Sequence, residues 1–362
     1  MKEEIFVECK EISIGYNDRS SASVVVKRDL TLRAFSGEIV ALIGGNGIGK
    51  STLLKTIAGF QSPLSGELLI HQRSAKDYGP KELAMEMSFV STEIVRAASL
   101  TVREMVGLGR FPYTNWFGQL TDYDQKIIET AIQQVGLNGY ENRQISRISD
   151  GERQRAMIAR ALAQDTRIMI LDEPTAFLDI SNKYEIVRIL HRLAEEQGKC
   201  IIFSTHDLNT ALSMADHIWL MLDDRVVEGL PEEIASRGYF GSLFPNNQHL
   251  VFDPKKGDFR IRKESKGKVK LVARGPEVLW VTKALERIGF EVITTPRTPQ
   301  SSLHQSASDL PEEENHPDSS FVLEVTRVTK GWSVSYSGGN IELETMEQLC
   351  RAVKKIMLQP GS

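Results

Sequence analysis

The stretch GGNGIGKST, residues 44–52, decides how the rest of this chain is interpreted. It follows the apolar run EIVALI, residues 38–43, and precedes a helical pattern, so it lies between a buried strand and a helix. Its spacing fits the phosphate-binding consensus G-x-x-x-x-G-K-[ST], which requires this strand–turn–helix context. The sequence therefore predicts a site for a nucleoside triphosphate.

Each residue type in this loop has a chemical role. Glycines allow consecutive backbone N–H groups to surround phosphate oxygens, and the helix N-terminus adds a partial positive charge. Lys50 is expected to reach the β- and γ-phosphates as a catalytic cation, and the Ser51 hydroxyl is expected to ligate magnesium. The predicted nucleotide contacts are Gly44, Gly45, Asn46, Gly47, Ile48, Gly49, Lys50, Ser51 and Thr52.

Polar side chains follow two further apolar strands. The run IMIL, 168–171, is followed by Asp172 and Glu173, and the run CIIFST, 200–205, is followed by His206. Since ligands bind at the carboxyl edge of an open parallel sheet, these groups are expected at one site. Asp172 is expected to hold magnesium through water, and Glu173 to polarise the attacking water as general base. The alternatives are an acidic turn that caps a strand and a histidine in an ordinary polar contact.

A second helix start also has features of an anion site. In RISDGERQRAMIARALAQ, residues 147–164, Ser149 and Glu152 form a capping box before an apolar helical stripe. Gly151 lowers helix propensity in the first turn, which is understandable if a ligand must approach the backbone closely. An ordinary well-capped surface helix is the alternative, and the capping box alone does not exclude it.

The order of these four features resembles that of the ATP-binding cassette (ABC) ATPases, over residues 5 to about 240. The resemblance implies ATP and Mg²⁺ as cofactors and a head-to-tail dimer, in which the S-x-G-E helix of one chain closes over the γ-phosphate bound by the other. It also implies that Tyr16 stacks on adenine and that Asp179 lies across the dimer seam.

Two departures from the family pattern stand out. The usual LSGGQ is ISDGE here, which retains Ser149 and Gly151 but replaces a Gly and the Gln with Asp150 and Glu152. The family's magnesium-ligating glutamine is also missing. Counting back from LTV places Thr92 at that position, and the adjacent Glu93 can perform a related oxygen-ligand task.

The pattern of the chain predicts two domains. Apolar strands that alternate with helices indicate a parallel α/β cassette over 1–250, with a helical subdomain at about 92–160. A small α+β domain is expected over 255–362, interrupted by a Pro-, Ser- and acid-rich mobile loop at about 296–320. Trp280 and Trp332 are expected to be core residues of that second domain rather than ligand-stacking residues.

The composition excludes several classes of protein. A net charge of −4 over 362 residues gives no general attraction to nucleic acid or anionic lipid. The three cysteines are odd in number and far apart, so a reducing cytosol is expected rather than a disulfide framework or a metal site. The start MKEEIFVECKEI lacks the basic and apolar regions of a signal peptide, and no apolar run approaches about 18 residues.

The run LTVREMVGLGRFPYTNWFG, 100–118, narrows the resemblance to cassettes that energise importers of iron–siderophore complexes, heme and vitamin B12. This subgroup implies a homodimer on an integral-membrane permease dimer, fed by a substrate-binding protein, with the chain peripheral on the cytoplasmic face of a bacterial membrane. A competing class is a soluble cassette ATPase that acts on nucleic acid, the ribosome or protein machinery. A nucleotide-gated regulator, with the C-terminal domain as effector, is the third possibility.

Overall fold

The protein is represented by a computed structural model that describes residues 4–16, 23–91, 99–176, 178–244, 250–253, 257–261, 265–273, 275–294, 322–329, 331–336 and 339–358. Contacts divide the chain into two compact units, residues 1–260 and 261–362. The boundary falls at the last residue of a two-stranded sheet, residues 250–253 and 258–261, whose Phe252 packs into the core of the first unit, whereas the sequence placed the boundary at 250–255. Thr92, Glu93 and the loop predicted at 296–320 lie outside the described residues.

From β3 onward, the parallel strands of the first unit are separated by helices. Their bounds are β1 Ile5–Tyr16, β2 Val24–Phe35, β3 Ile39–Gly44, β4 Ser65–Ile70, β5 Arg73–Ser74, β6 Met87–Val90, β7 Ile168–Leu171, β8 Cys200–Thr205, β9 His217–Met221, β10 Val226–Gly229, β11 Leu250–Asp253 and β12 Asp258–Ile261. The helices are α1 Lys50–Ile57, α2 Pro80–Glu86, α3 Val102–Gly107, α4 Asp122–Gln134, α5 Asp150–Ala163, α6 Ile180–Gln197, α7 Leu208–Met214 and α8 Pro231–Ser236.

A six-stranded sheet forms the centre of this unit, in the order β10-β9-β3-β8-β7-β6. All neighbouring strands are parallel except the edge pair β10–β9. β3, β7 and β8 are buried along their whole length because helices and the second sheet cover both faces. β8 lies between β3 and β7, so the residues after these three strands meet at one sheet edge.

The second sheet of this unit is antiparallel, with the order β2-β1-β4-β5. Its apolar face, which includes Ile12, Ile14 and Leu32, packs in one core with α1 and the central strands. β1 ends at Tyr16, so this sheet brings that residue towards the start of α1.

The segment predicted as a helical subdomain contains α3, α4 and α5, connected in part by a 3-10 helix over Leu108–Tyr113. Val102, Met105, Ile128 and Ile158 lie in the core that these helices share with the central sheet. Across the described residues, no helix combines the length and the apolar character that crossing a bilayer would require.

The second unit has a five-stranded sheet in the order β14-β13-β15-β16-β17, with two helices. Its elements are β13 Lys268–Val272, α9 Glu277–Arg287, β14 Glu291–Thr294, β15 Val322–Val328, β16 Gly331–Tyr336, β17 Gly339–Leu343 and α10 Met346–Leu358. Trp332 is buried, as predicted. The prediction for Trp280 is wrong: it is 62% exposed, because Val281 and Leu285 take the core-facing side of α9.

Candidate nucleotide-binding site

The phosphate-loop residues connect β3 to α1 as the sequence predicted. Gly49 immediately precedes the helix with φ +112°, a left-handed conformation that favours glycine, and no side chain caps the helix N-terminus. Apart from the glycines and their chain neighbours, no described heavy atom lies within 4 Å of the position that a Cβ would occupy on Gly45 or Gly47. The loop is therefore open at these two positions beside an uncapped helix start, which leaves room for a phosphate.

The Lys50 ammonium group folds over this loop. Its Nζ donates to the carbonyl oxygens of Gly44, at 2.9 Å, and Gly45, at 3.1 Å. Burial lowers the pKa of Lys50, and the carboxylates of Glu173 and Asp172 act in the opposite direction. Lys50 is thus a buried cation that shares its electrostatic environment with the two acids, and a triphosphate would offer it a stronger acceptor than a carbonyl.

A buried serine connects the two acids that follow β7. The Ser204 hydroxyl donates to Asp172 Oδ1 at 2.6 Å and accepts from the backbone N–H of Glu173 at 2.9 Å. Glu173 has φ +48°, a region that non-glycine residues rarely adopt and that is often found at functional sites. Sequence reasoning missed Ser204; its signal was a hydroxyl near the end of an otherwise apolar strand.

His206 completes this edge of the sheet. Its Nδ1 lies 3.2 Å from Glu173 Oε2, and its side chain is 61% exposed. Beside these groups is a cavity of about 90 Å³, lined in part by Thr175, Thr205 and Asp207. Since a water occupies roughly 30 Å³ in the liquid, this cavity has room for a few waters next to a carboxylate. The arrangement suits proton transfer from water to Glu173.

Tyr16 reaches the same site from the antiparallel sheet. Its hydroxyl is 2.8 Å from Thr52 Oγ1, in the first turn of α1, and the residue is 54% exposed. An exposed aromatic ring anchored beside a phosphate loop can stack on a planar base. The structure thus brings together Tyr16, the phosphate loop and the groups that follow β7 and β8.

The capping box predicted at α5 is present. Ser149 Oγ accepts from the N–H of Glu152 at 3.3 Å, while Glu152 Oε2 accepts from the Ser149 N–H at 2.7 Å and from its hydroxyl at 2.9 Å. The backbone hydrogen bond from Ser149 is the main cause that lowers the pKa of Glu152. Ser149 and Asp150 are exposed, so this helix start is accessible from outside the chain.

The structure explains the glycine at position 151 by a contact that the sequence did not suggest. A Cβ at this position would lie 2.4 Å from the side chain of Asn182, so packing of α5 against α6 requires a glycine there. The Asn182 amide donates to Asp179 Oδ2 at 3.1 Å and accepts from Arg155 at 3.2 Å. Asp179 in turn caps α6 by accepting the Asn182 N–H at 2.8 Å. Asn182, also missed from the sequence, therefore connects Asp179 to the S-x-G-E helix.

Comparison with known proteins identifies both parts of the chain. The family described as "ABC transporter" matches residues 27–176, and "Iron ABC transporter C-terminal domain" matches residues 266–354. The iron(3+)-hydroxamate import ATP-binding protein FhuC of Bacillus subtilis is 36% identical over 247 residues, which are 68% of this chain and 90% of FhuC. The chain belongs to the ATP-binding subunits of ABC transporters. It is an ATPase of that family, as the order of its motifs predicted.

Other relatives agree with this assignment. The ferric enterobactin transport ATP-binding protein FepC of Escherichia coli is 31% identical, with 68% of this chain and 90% of FepC covered. Among solved structures, a transporter described as metal-chelate type, in an inward-facing conformation, matches with a TM-score of 0.59 and 26% identity over 68% of this chain and 90% of that one. A bacterial ABC cassette solved as a dimer matches with a TM-score of 0.55 and 28% identity over 62% and 98%. The predicted α/β cassette fold is confirmed.

Proposed function

We propose that this ABC ATPase energises an importer of ferric siderophore complexes through a separate permease. The match of residues 266–354 to an iron transporter C-terminal domain carries this proposal, because it ties the chain to iron rather than to transport in general. The named relatives import ferric hydroxamate and ferric enterobactin, which favours a siderophore complex over heme or cobalamin. These matches also speak against the competing class of soluble ATPases that act on nucleic acid, the ribosome or protein machinery.

The proposed catalytic unit is a head-to-tail dimer. Each chain would contribute its phosphate loop, with Lys50, to one nucleotide and its exposed α5 start, with Ser149 and Gly151, to the other. Two observations support this arrangement: Ser149 is accessible from outside the chain, and a similar cassette has been solved as a dimer. Asp179 would lie at the seam, where its hydrogen bonds to Asn182 connect it to the α5 start.

The described residues fit a magnesium nucleotide. The Ser51 hydroxyl and the Asp172 carboxylate are oxygen donors of the kind that Mg²⁺ prefers, and Thr92, outside the described residues, is a further proposed ligand. Bound Mg²⁺ would neutralise charge on the β- and γ-phosphate oxygens. Ser204 would hold Asp172 in place through its hydrogen bond of 2.6 Å.

The remaining chemistry falls to Glu173, His206 and Lys50. Glu173 would accept the proton of the attacking water, since its carboxylate lies beside the small cavity at the sheet edge. His206, within 3.2 Å of Glu173, would orient that carboxylate. Lys50 would exchange its carbonyl acceptors for phosphate oxygens when a nucleotide binds.

A cluster of exposed aromatic residues supports a membrane partner. After α3, Phe111 is 73% exposed, Trp116 97% and Phe117 82%. The buried Arg110 anchors the start of this segment, with Nε donating to Asp124 at 2.8 Å and an Nη to the carbonyl of Ala163 at 2.9 Å. Large apolar side chains that are exposed within one short segment are typical of an interaction site. We assign this surface to the permease, with the chain peripheral on the cytoplasmic side of a bacterial membrane and a substrate-binding protein on the other side.

The dimer mechanism can be tested with Glu173→Gln. This substitution keeps the hydrogen-bonding shape but removes the base, so the variant should bind ATP, lose hydrolysis and accumulate as a closed dimer, measured by light scattering with saturating Mg-ATP. Glu185→Gln, on the exposed face of α6 where Glu185 pairs with Arg188, is the matched control and should hydrolyse ATP normally. A Glu173→Gln variant that binds ATP but stays monomeric would contradict the shared site.

The substrate can be tested in the cell that encodes the chain. Replacement of the native copy by Lys50→Ala should abolish accumulation of radioactive iron from a ferric hydroxamate or catecholate siderophore. Uptake of heme and of cobalamin, measured in the same strain, should not change. If the variant lost cobalamin or heme uptake but kept normal siderophore uptake, the proposed substrate class would be wrong and the compound whose uptake is lost would take its place.

A further inference from the structure

The second unit contains a groove that the nucleotide chemistry does not use. It lies between the end of α9 and the first turns of α10 and has a volume of about 350 Å³. Its apolar lining includes Ile288, Met346 and Cys350. Small-molecule sites are concave, mostly apolar and about 300–1,000 Å³ in volume, so this groove has the size and character of a ligand site.

The rim of the groove is strongly basic. Arg287 borders it from α9, Arg351 and Lys354 border it from α10, and Glu347 is the one acid among its lining residues. Glu347 and Arg351 pair at 2.6 Å with both side chains more than two-thirds exposed, so water screens this pair and it is easily exchanged. Lys354 is exposed, and no described carboxylate pairs with it. Arg351 and Lys354 against Glu347 leave an excess positive charge beside an apolar floor, and Arg287, which has a further contact of its own, adds to the basic rim.

We propose that this groove binds an amphipathic anion, with a carboxylate or phosphate group on an apolar body. The guanidinium groups of Arg287 and Arg351 suit the paired oxygens of either group, and Lys354 adds a mobile positive charge. The apolar floor selects against inorganic phosphate, which would leave that surface in contact with water. The site would give the second unit a ligand of its own, beyond ATP and the transported iron complex.

The wild-type protein carries its own reporter of occupancy. Cys9 and Cys200 are fully buried, and burial raises the pKa of Cys9 to about 12 and also raises that of Cys200. Burial also raises the pKa of Cys350, and the nearby Arg287 acts in the opposite direction. Because Cys350 is only partly buried and lies in the groove, it should be the thiol that N-ethylmaleimide alkylates first. The rate of single alkylation of the full chain, followed by intact mass, then measures access to the groove. A second or third adduct would reveal unfolding.

Decanoate, decyl phosphate and decanol are suitable probes, because they share one apolar chain and differ in charge. Decanoate or decyl phosphate should slow the alkylation of Cys350 by about tenfold at a concentration ten times its Kd, as expected for simple occupancy. Decanol should protect far less. Equal protection by decanol and decanoate would overturn the proposal.

Two neighbouring lysines provide a matched pair of variants. Lys354→Glu reverses a charge on the rim, whereas Lys355→Glu makes the same change one residue along α10 at an exposed lysine outside the groove lining. Lys354→Glu should weaken protection by decanoate at least about tenfold, the usual scale for loss of one charge-assisted contact, and Lys355→Glu should leave it nearly unchanged. Equal effects of the two variants would indicate general charge attraction and would contradict a site at the groove.

The same alkylation experiment with lipid vesicles identifies the source of the anion. Protection of Cys350 by phosphatidylglycerol vesicles, but not by phosphatidylcholine vesicles or free decanoate, would assign the site to a membrane lipid. Protection by free decanoate without vesicles would assign it to a soluble amphiphile. Failure of every anionic probe, free or in vesicles, would remove the site.

Discussion

The N-termini of α1 and α5 both have backbone N–H groups without partners inside the helix, and the chain treats these groups in opposite ways. At α1 no side chain caps the first N–H groups, and a buried lysine lies over them. At α5 the Ser149–Glu152 capping box satisfies the corresponding groups within the chain, and the helix start is exposed. One start is therefore prepared to receive an anion, while the other is stable without one.

This difference would explain how one chain could carry the two proposed anion sites without competition between them. The open start of α1 supplies N–H groups and a cation, so it can bind most of the triphosphate by itself. The self-capped start of α5 can supply little more than the Ser149 hydroxyl and the close approach at Gly151. The second site should therefore contribute mainly when another molecule brings a nucleotide to it.

The largest expected effect is at α1. Lys50→Ala removes the buried cation of the loop and should reduce ATP affinity and hydrolysis by about 100-fold or more, the scale for removal of a key transition-state contact. Nucleotide binding can be measured by calorimetry. Lys55→Ala, on the exposed side of the same helix, is the control and should bind ATP normally. Unchanged affinity in Lys50→Ala would remove the distinction between the two helix starts.

The next effect is at Gly151. In Gly151→Ala the new Cβ displaces the Asn182 side chain, which should cost about 1–3 kcal/mol of unfolding free energy through its lost hydrogen bonds and lower hydrolysis. In an Asn182→Ala background the same substitution should be neutral or slightly stabilising, because alanine favours the helix. A double-mutant cycle by denaturant unfolding measures this coupling. An equal cost in both backgrounds would show that Gly151 does not serve the packing of α5 against α6.

Ser149→Ala distinguishes the role of Ser149 as a helix cap from its proposed contact with nucleotide. Loss of the cap should cost about 1 kcal/mol of unfolding free energy. Thr101→Ala removes an equivalent capping box at α3, with Glu104 as its partner, and should cost about the same. Only Ser149→Ala should reduce ATP hydrolysis, by about tenfold, the value of one hydrogen bond of 1.4 kcal/mol. Equal hydrolysis in the two variants would make α5 an ordinary surface helix.

The smallest effect concerns pH. The capping hydrogen bonds lower the pKa of Glu152 below 4.5, so its ionised form is favoured in the folded state. This contribution to stability is present above about pH 4.5 and is lost as pH falls through the lowered folded-state pKa. The difference in unfolding free energy between wild type and Glu152→Gln should therefore shrink as pH falls below about 4.5. A constant difference would show that the charge of Glu152 does not stabilise the cap. The first turn of α1 contains no acidic residue, so no corresponding pH dependence is expected there.

Local patterns predicted much of the cassette. The strands expected at 168–171 and 200–205 are confirmed as β7 and β8, because continuous apolar runs are typical of strands buried on both faces. β10 and β17 were not predicted; each is a short edge strand that pairs antiparallel with the strand just before it, and neither has a continuous apolar run. Trp280 was predicted wrongly because residue type alone does not tell which side of a helix faces the core.

The candidate site divides in a similar way. The phosphate loop, Asp172 and Glu173 could be placed from sequence, because each follows a recognisable strand. Ser204 and Asn182 could not, since their importance depends on hydrogen bonds to residues more than 20 positions away. For the same reason the contact of Gly151 with Asn182 could not be predicted, and the close approach of a ligand to Gly151 stays a prediction.

Ser204 has one more consequence. A single hydroxyl fastens the turn after β7 to the end of β8, and the next residues along β8 lead directly to His206. Hydrogen bonds therefore connect the proposed general base Glu173, the proposed metal ligand Asp172 and the imidazole of His206. During a transport cycle these three side chains would move together. The moment of ATP hydrolysis would then be set by the loops and by the second molecule that contact them.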